Sequence, residues 1–132
     1  MHKITTFLMF EGKAEEAMNF YISLFAGSEI KSISRYGENE GGPAGSVRHA
    51  LFSINGQEFM CIDSPVKHGF SFTPAMSLYV GVDTEGELDK LYAALSEGGQ
   101  VLMPLAAYPF SKKYGWVNDK FGVSWQLTLT DA

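Results

Sequence analysis

Imidazole is the side chain whose unperturbed charge changes near neutral pH, and this chain has three: His2, His49 and His68. His2 is terminal and His68 sits in a Pro- and Gly-containing linker, which leaves His49 as the leading general-base or hydrogen-bonding residue. Tyr79 is a second acid or base of the right kind. Cys61 is the sole cysteine, so no internal disulfide can form. An activated thiol needs an electropositive, partly open site. Cys61 falls opposite Ala50 on a hairpin, on the side expected to be covered by helix, and reads as a buried, inert thiol. Arg48 and Asp63 fall opposite each other at the open end of the same hairpin, which predicts a salt bridge. Lys112-Lys113 reads as a solvated edge, with guarding the mouth of a site for an acidic ligand as the alternative. The Gly- and Glu-rich stretch 37–46 holds Glu38 and Glu40 and no Lys, so it is no phosphate cradle. A lid is the functional alternative to a plain loop there.

The elements that must position these groups follow from periodicity. Residues 3–10 read as a strand. Gly12 then opens a helix with Ala14, Ala17, Met18, Tyr21, Leu24 and Phe25 at helical spacing, ended at Gly27. Residues 29–36 form a second strand. Residues 47–54 and 57–63 flank Asn55-Gly56, a strong short-range hairpin signal. A linker over 65–74 carries Pro65, Gly69 and Pro74. Residues 75–82 form a strand, Thr84 caps a helix carrying Leu88, Leu91, Tyr92 and Leu95, and Gly98-Gly99 ends it. Strands over 101–108, 112–118 and 123–129 complete the chain.

The order βαβββ therefore occurs twice. A shift of 71 residues lays Thr6 on Ser77, Phe7 on Leu78, Leu24 on Leu95 and Gly27 on Gly98. A shift of 66 lays Gly56 on Gly122 and Phe59 on Trp125. Repetition at this length indicates duplication of one unit that cannot bury its sheet alone. The fold class is α+β, two βαβββ modules in tandem within one domain, 1–132. Module 1 spans about residues 1–64, the linker 65–74 and module 2 about 75–132.

Alternation along strands gives each sheet a helix-covered face and an opposite one. Met76, Leu78, Val80 and Val82 are assigned to the helices together with Trp125, Leu127 and Leu129, and Trp116 is assigned to the core with Trp125. Carried through the repeat, the opposite face of module 1 presents Thr6, Leu8 and Phe10, with His49, Leu51, Met60 and Ile62 from the hairpin. That of module 2 presents Ser77, Tyr79, Val117, Ser124, Gln126 and Thr128. Hydroxyls and one amide among apolar side chains suit a cavity for a small, partly apolar molecule. A polar-tinged dimer or sheet-packing surface is the plainer alternative.

Net charge is −5, which argues against nucleic acid, whose binding rests on Lys and Arg. No apolar run nears the roughly 20 residues needed to span a bilayer, and the first residues resemble no signal peptide. A cytoplasmic location without membrane partners is expected.

Several stretches carry a resemblance: Phe7-Leu8-Met9-Phe10 with Ala17-Met18-Asn19-Phe20-Tyr21, then Phe72-Thr73-Pro74-Ala75. To these add Gly115-Trp116 and the run Asp119-Lys120-Phe121-Gly122-Val123-Ser124-Trp125-Gln126-Leu127. Over essentially its whole length the chain resembles the vicinal oxygen chelate superfamily of glyoxalases, bleomycin-resistance proteins and ring-cleaving dioxygenases. Within it, the likeness is to the PhnB-like proteins, labelled 3-demethylubiquinone-9 3-methyltransferase-like. The resemblance implies that each module forms half of a cleft, and that the protein is a homodimer. It also implies four metal-ligand positions, usually His and Glu with occasional Gln, which fall on Thr6, Met60, Ser77 and Gln126. Only Gln126 is even a weak oxygen donor, whereas divalent metals need several carboxylates or imidazoles. The expectation is therefore a metal-independent protein binding an unidentified small molecule and no cofactor. One alternative is a lyase or isomerase of the glyoxalase/dioxygenase type recruiting metal ligands elsewhere, such as His49 with Glu58. Another is a metal-free enzyme using His49 or Tyr79. Methyl transfer lacks support, because no Gly-rich strand-to-helix turn is present to hold S-adenosylmethionine.

Overall fold

The computed structural model describes residues 2–130, so the two ends of the expected 1–132 domain lie outside the described residues. The chain divides into two units, Met1–His68 and Gly69–Ala132. Each holds one helix and one four-stranded sheet.

In the first unit, β1 (Thr6–Phe10) leads into α1 (Ala14–Leu24), followed by β2 (Glu29–Arg35), β3 (Val47–Ile54) and β4 (Gln57–Asp63). The sheet order is β1-β4-β3-β2, with β1 parallel to β4 and the other pairs antiparallel. Asn55 and Gly56 both take positive φ, 48° and 86°, the two-residue turn whose twist matches its flanking strands. It sets the register that brings Leu51 opposite Met60 and Ala50 opposite Cys61. The helix packs on β2, β3 and β4 and buries Ala14, Ala17, Met18 and Tyr21. Beneath it lie Ala50, Phe52, Phe59 and Cys61, all buried, with the Phe52 and Phe59 rings stacked at 5.4 Å. Each large side chain buried this way contributes roughly 1.5–3 kcal/mol.

The start of α1 is held by Asp63, not by a residue of its own. Asp63 Oδ1 accepts from the backbone N–H of Gly12 and of Ala14 at 2.9 Å each, and Oδ2 accepts from that of Val47 at 3.0 Å. This corrects the expected Arg48–Asp63 salt bridge. A carboxylate that is 4% exposed is satisfied by three N–H donors and needs no cation. Arg48 instead donates to Ser34 Oγ at 2.9 and 3.2 Å and pairs with Glu40 at 3.6 Å.

The second unit repeats the plan: β5 (Leu78–Val82), α2 (Glu85–Ser96), β6 (Gln100–Tyr108), β7 (Ser111–Asn118) and β8 (Ser124–Leu129). Its order is β5-β8-β7-β6, with β5 parallel to β8. Thr84 caps α2 as expected, its Oγ1 accepting from Glu87 N at 3.2 Å. Leu88, Leu91 and Leu95 of α2 are buried, as are Val82, Val117, Trp125 and Leu127 of the sheet. At Gly115 a Cβ would come within 2.8 Å of the Tyr92 ring, so only glycine lets α2 lie this close to β7. Buried Asp119 closes the β7–β8 turn. It accepts from Phe121 N, from Val123 N, and from Trp125 Nε1 at 2.9 Å. That last bond fixes the Trp125 ring in the core.

Candidate functional site

Strand register decides which side chains share the face turned away from each helix, and it revises part of the expected set. In the parallel pair β1–β4, Thr6 lies beside Phe59, Leu8 beside Cys61 and Phe10 beside Asp63. Paired residues in a sheet point to the same side. Thr6, Leu8 and Phe10 therefore belong with the helix-covered core, and Leu8 and Phe10 are 7% and 4% exposed. They are not on the face of Met60 and Ile62, where the sequence reading put them. Phe7 and Met9 lie beside Met60 and Ile62 instead, and Phe7 is 51% exposed. The cause is a one-residue error in the repeat. Thr6–Phe59 and Leu78–Trp125 are equivalent pairs, so the first strands superpose with a shift of 72, not 71. A slip of one residue reverses every side chain on a strand.

Leu51 pairs with Met60, and His49, beside Ser34 of β2, shares its side. Glu58 lies two residues before Met60 along the same side, hydrogen-bonded by Lys31 Nζ at 2.9 Å and by Lys3 Nζ. Those two ammonium donors hold its carboxyl down at about 2. His49 is exposed, and no group of three His, Cys, Asp or Glu that could hold a metal occurs among the described residues. His68 Nε2 lies 2.8 Å from Oγ of Ser64, the residue that follows β4, a contact local in the chain.

The outer face of the second unit is the more organised of the two. Tyr79, Gln126, Trp116 and Met103 form one row across all four strands. Val117 lies beside Trp125 and is fully buried, so it joins the core, whereas Trp116 lies outside it. This exchanges the two expected placements. A clue was available in the sequence. Asp119 and Gly122 mark a turn, and closing it with an Asn118–Ser124 pair puts Trp116 opposite Gln126. Met76, expected beneath the helix, precedes β5 and is 73% exposed.

Hydrogen bonds tie this face together. Tyr114 Oη donates to Gln126 Oε1 at 2.5 Å. Trp116 Nε1 donates to Ser124 Oγ at 2.8 Å, and Ser124 Oγ lies 2.7 Å from Ser77 Oγ. Ser111 Oγ meets Thr128 Oγ1 at 2.7 Å. Tyr114, 2% exposed, is enclosed by Tyr108 and Phe110, with edge-on ring contacts at 5.6 and 4.8 Å. Burial raises its phenol above the usual range, and the neighbouring phenols Tyr79 and Tyr108 push in the same direction. It therefore stays protonated and keeps donating to Gln126. Tyr108, Tyr114 and Trp116 were absent from the expected set because periodicity alone cannot place an aromatic on one face of a mixed strand.

The four family metal positions can now be tested by donor chemistry. Met60 offers a thioether, Thr6 faces the core, and the Ser77 hydroxyl is engaged by Ser124. The Gln126 carbonyl oxygen is occupied by Tyr114. Substituting the register-corrected neighbours Phe7 and Tyr79 adds neither carboxylate nor imidazole. The residues present do not fit a divalent metal.

Elsewhere in the first unit, a hollow of about 210 Å³ opens at the start of α1, lined by Glu11, Gly12, Asp63, Ser64 and Lys67 among others. Lys113 pairs with Asp89 of α2 at 2.7 Å, which fixes it to the helix and not at the mouth of a site. Cys61 is fully buried, and desolvation, with Asp63 adding to it, pushes the thiol up to about 12.

Comparison with known proteins matches residues 2–128 to the family described as 3-demethylubiquinone-9 3-methyltransferase. No curated protein matches the chain. Among solved structures, the PhnB protein from Bacillus cereus is 69% identical, with 98% of this chain and 100% of that one covered and a TM-score of 0.96. Protein PA1353 from Pseudomonas aeruginosa is 26% identical over the whole of both chains, with a TM-score of 0.84. The fosfomycin resistance protein FosX from Listeria monocytogenes is 11% identical over 98% of this chain and 92% of that one, with a TM-score of 0.64, a likeness of fold alone. With the tandem βαβββ modules, these matches place the chain in the PhnB-like 3-demethylubiquinone-9 3-methyltransferase family, on the vicinal oxygen chelate fold.

Proposed function

We propose that this PhnB-like chain binds a small organic molecule on a sheet face turned away from its helix, without a metal ion. The observation that carries the reading is the Tyr114–Gln126 bond. It engages the only carbonyl oxygen among the side chains at the family's ligand positions and turns Gln126 into an oriented hydrogen-bonding group. A few fixed polar groups among apolar and aromatic side chains are what a small-molecule site requires. In the first unit the outer face is apolar at Phe7, Leu51, Met60 and Ile62. In the second it carries Tyr79, Ser77, Ser124, Gln126 and Thr128 together with Trp116, so that face by itself combines polar and aromatic groups.

Recruitment of metal by His49 with Glu58 is disfavoured, because Glu58 is already neutralised by two lysines. Methyl transfer is not supported either. Gly12 stands alone at the turn into α1, and β1 has a parallel neighbour only in β4. The metal-free enzyme reading keeps its two acid or base candidates, His49 on the first unit's outer face and Tyr79 beside Gln126 on the second's. On that reading His49→Ala or Tyr79→Phe abolishes turnover while retaining binding. A cytoplasmic, homodimeric protein is the setting we infer. No helix among the described residues is long and apolar enough to cross a membrane. Each unit leaves large apolar side chains exposed, Ile4 and Val66 in the first and Phe70 and Met76 in the second, and the homodimer is inferred from the family resemblance.

The test is thermal denaturation against a metabolite panel in buffer containing EDTA. At least one compound should raise the midpoint by several degrees in proportion to occupancy. Failure of every compound, with stabilisation by Ni, Zn, Mn or Fe alone, would overturn the reading.

A further inference from the structure

Gln126 stands at the centre of the second unit's outer face, with Tyr79 on one neighbouring strand and Trp116 on the other. Strands lie about 4.8 Å apart, so the two aromatic side chains spring from positions about 10 Å apart. Both flank the same amide. A flat ring stacked between two others needs roughly 7 Å between the outer pair, which modest inward tilts of Tyr79 and Trp116 would supply. The walls differ in rigidity. Trp116 is anchored through Nε1 to Ser124 Oγ, while Tyr79 is 61% exposed and makes no hydrogen bond to the described residues.

The floor is polarised. Because Gln126 Oε1 accepts from Tyr114 Oη, the amide is held in one orientation and Nε2 points away with two donors. No described residue accepts from Nε2. Every side chain on this face from Tyr114 through Trp116 to Asn118, and from Ser124 through Gln126 to Thr128, is uncharged. Such a surface offers a carboxylate only neutral amide donors and no cation, and offers an ammonium no anion, to offset the desolvation of its charge.

We infer that the second unit binds an uncharged aryl carbonyl compound, its ring between Tyr79 and Trp116 and its carbonyl oxygen accepting from Gln126 Nε2. This rests on the small-molecule reading above and narrows it to a ligand class and a docking geometry.

Three probes separate the contributions: acetophenone, benzoate, which keeps the ring but carries a charge, and cyclohexyl methyl ketone, which keeps the carbonyl but loses the aromatic ring. The readout is the ¹H–¹⁵N spectrum of the full chain, following the Gln126 side-chain amide and the Trp116 indole N–H. Acetophenone should move both signals saturably and bind roughly ten-fold tighter than either of the other two. Gln126→Glu keeps an oxygen for Tyr114 and removes the donor, and should weaken acetophenone roughly ten-fold. Tyr79→Ala, at an exposed position, should weaken it several-fold without altering the urea midpoint. Equal or tighter benzoate binding, unchanged affinity in Gln126→Glu, or signals moving only elsewhere would overturn the proposal. A neutral metabolite binding at another face would end this inference and leave the small-molecule reading standing. No binding by any compound would end both.

Discussion

At the scale of single residues, chemistry is decided by what each polar group is already doing. Cys61 reads from the sequence as a buried, inert thiol, and burial pushes it up to about 12 from an ordinary value of 9. At pH 9 the native thiolate fraction is then on the order of 10⁻³, against about one half for a free thiol. The native protein should therefore resist iodoacetamide at pH 9 and react at once in 6 M guanidinium. Rapid native alkylation, followed by mass spectrometry, would contradict the buried placement. Glu58 and Gln126 tell the same story for metal ligation, one bound by two lysines and the other by Tyr114. Asp63 shows what residue type alone conceals. A carboxylate beside an arginine on a hairpin suggests an ion pair, but its real partners are three backbone N–H groups brought in by other elements.

At the scale of elements, what could be read from the sequence depended on contrast within the pattern. The Asn55-Gly56 hairpin, the Thr84 cap and the doubled βαβββ order each have a strong local cause and were legible. So was the split of Trp125 and Leu127 from Ser124 and Gln126, where apolar and polar residues alternate. In Phe7-Leu8-Met9-Phe10 every residue is apolar. Neither parity was favoured there, and the one-residue slip in the repeat put Thr6, Leu8 and Phe10 on the wrong side. Register against β4 supplies the missing information, and it is a long-range property. Gly115 gives an element-scale test. Gly115→Ala places a methyl against the Tyr92 ring, and overpacking of this kind costs about 1–3 kcal/mol. Urea unfolding should show that loss at unchanged m-value, and a variant as stable as the parent would mean that α2 does not lie this close to β7.

For the molecule as a whole, duplication gives two similar sheets that have diverged on their outer faces. The first is apolar around Met60 and Leu51, and the second is a hydrogen-bonded aromatic face around Gln126. The expected homodimer belongs to this scale. Sedimentation should find a species of twice the 14.5 kDa chain mass, and a single 14.5 kDa species at micromolar concentration would remove it. The central claim is that ligand recognition needs only this chain's organic side chains. Calorimetric titration of the best-stabilising compound, in EDTA and again with one equivalent of Ni, Zn or Mn per chain, tests it most directly. The account predicts the same dissociation constant in both buffers, and binding that appears only when a metal is supplied would contradict it.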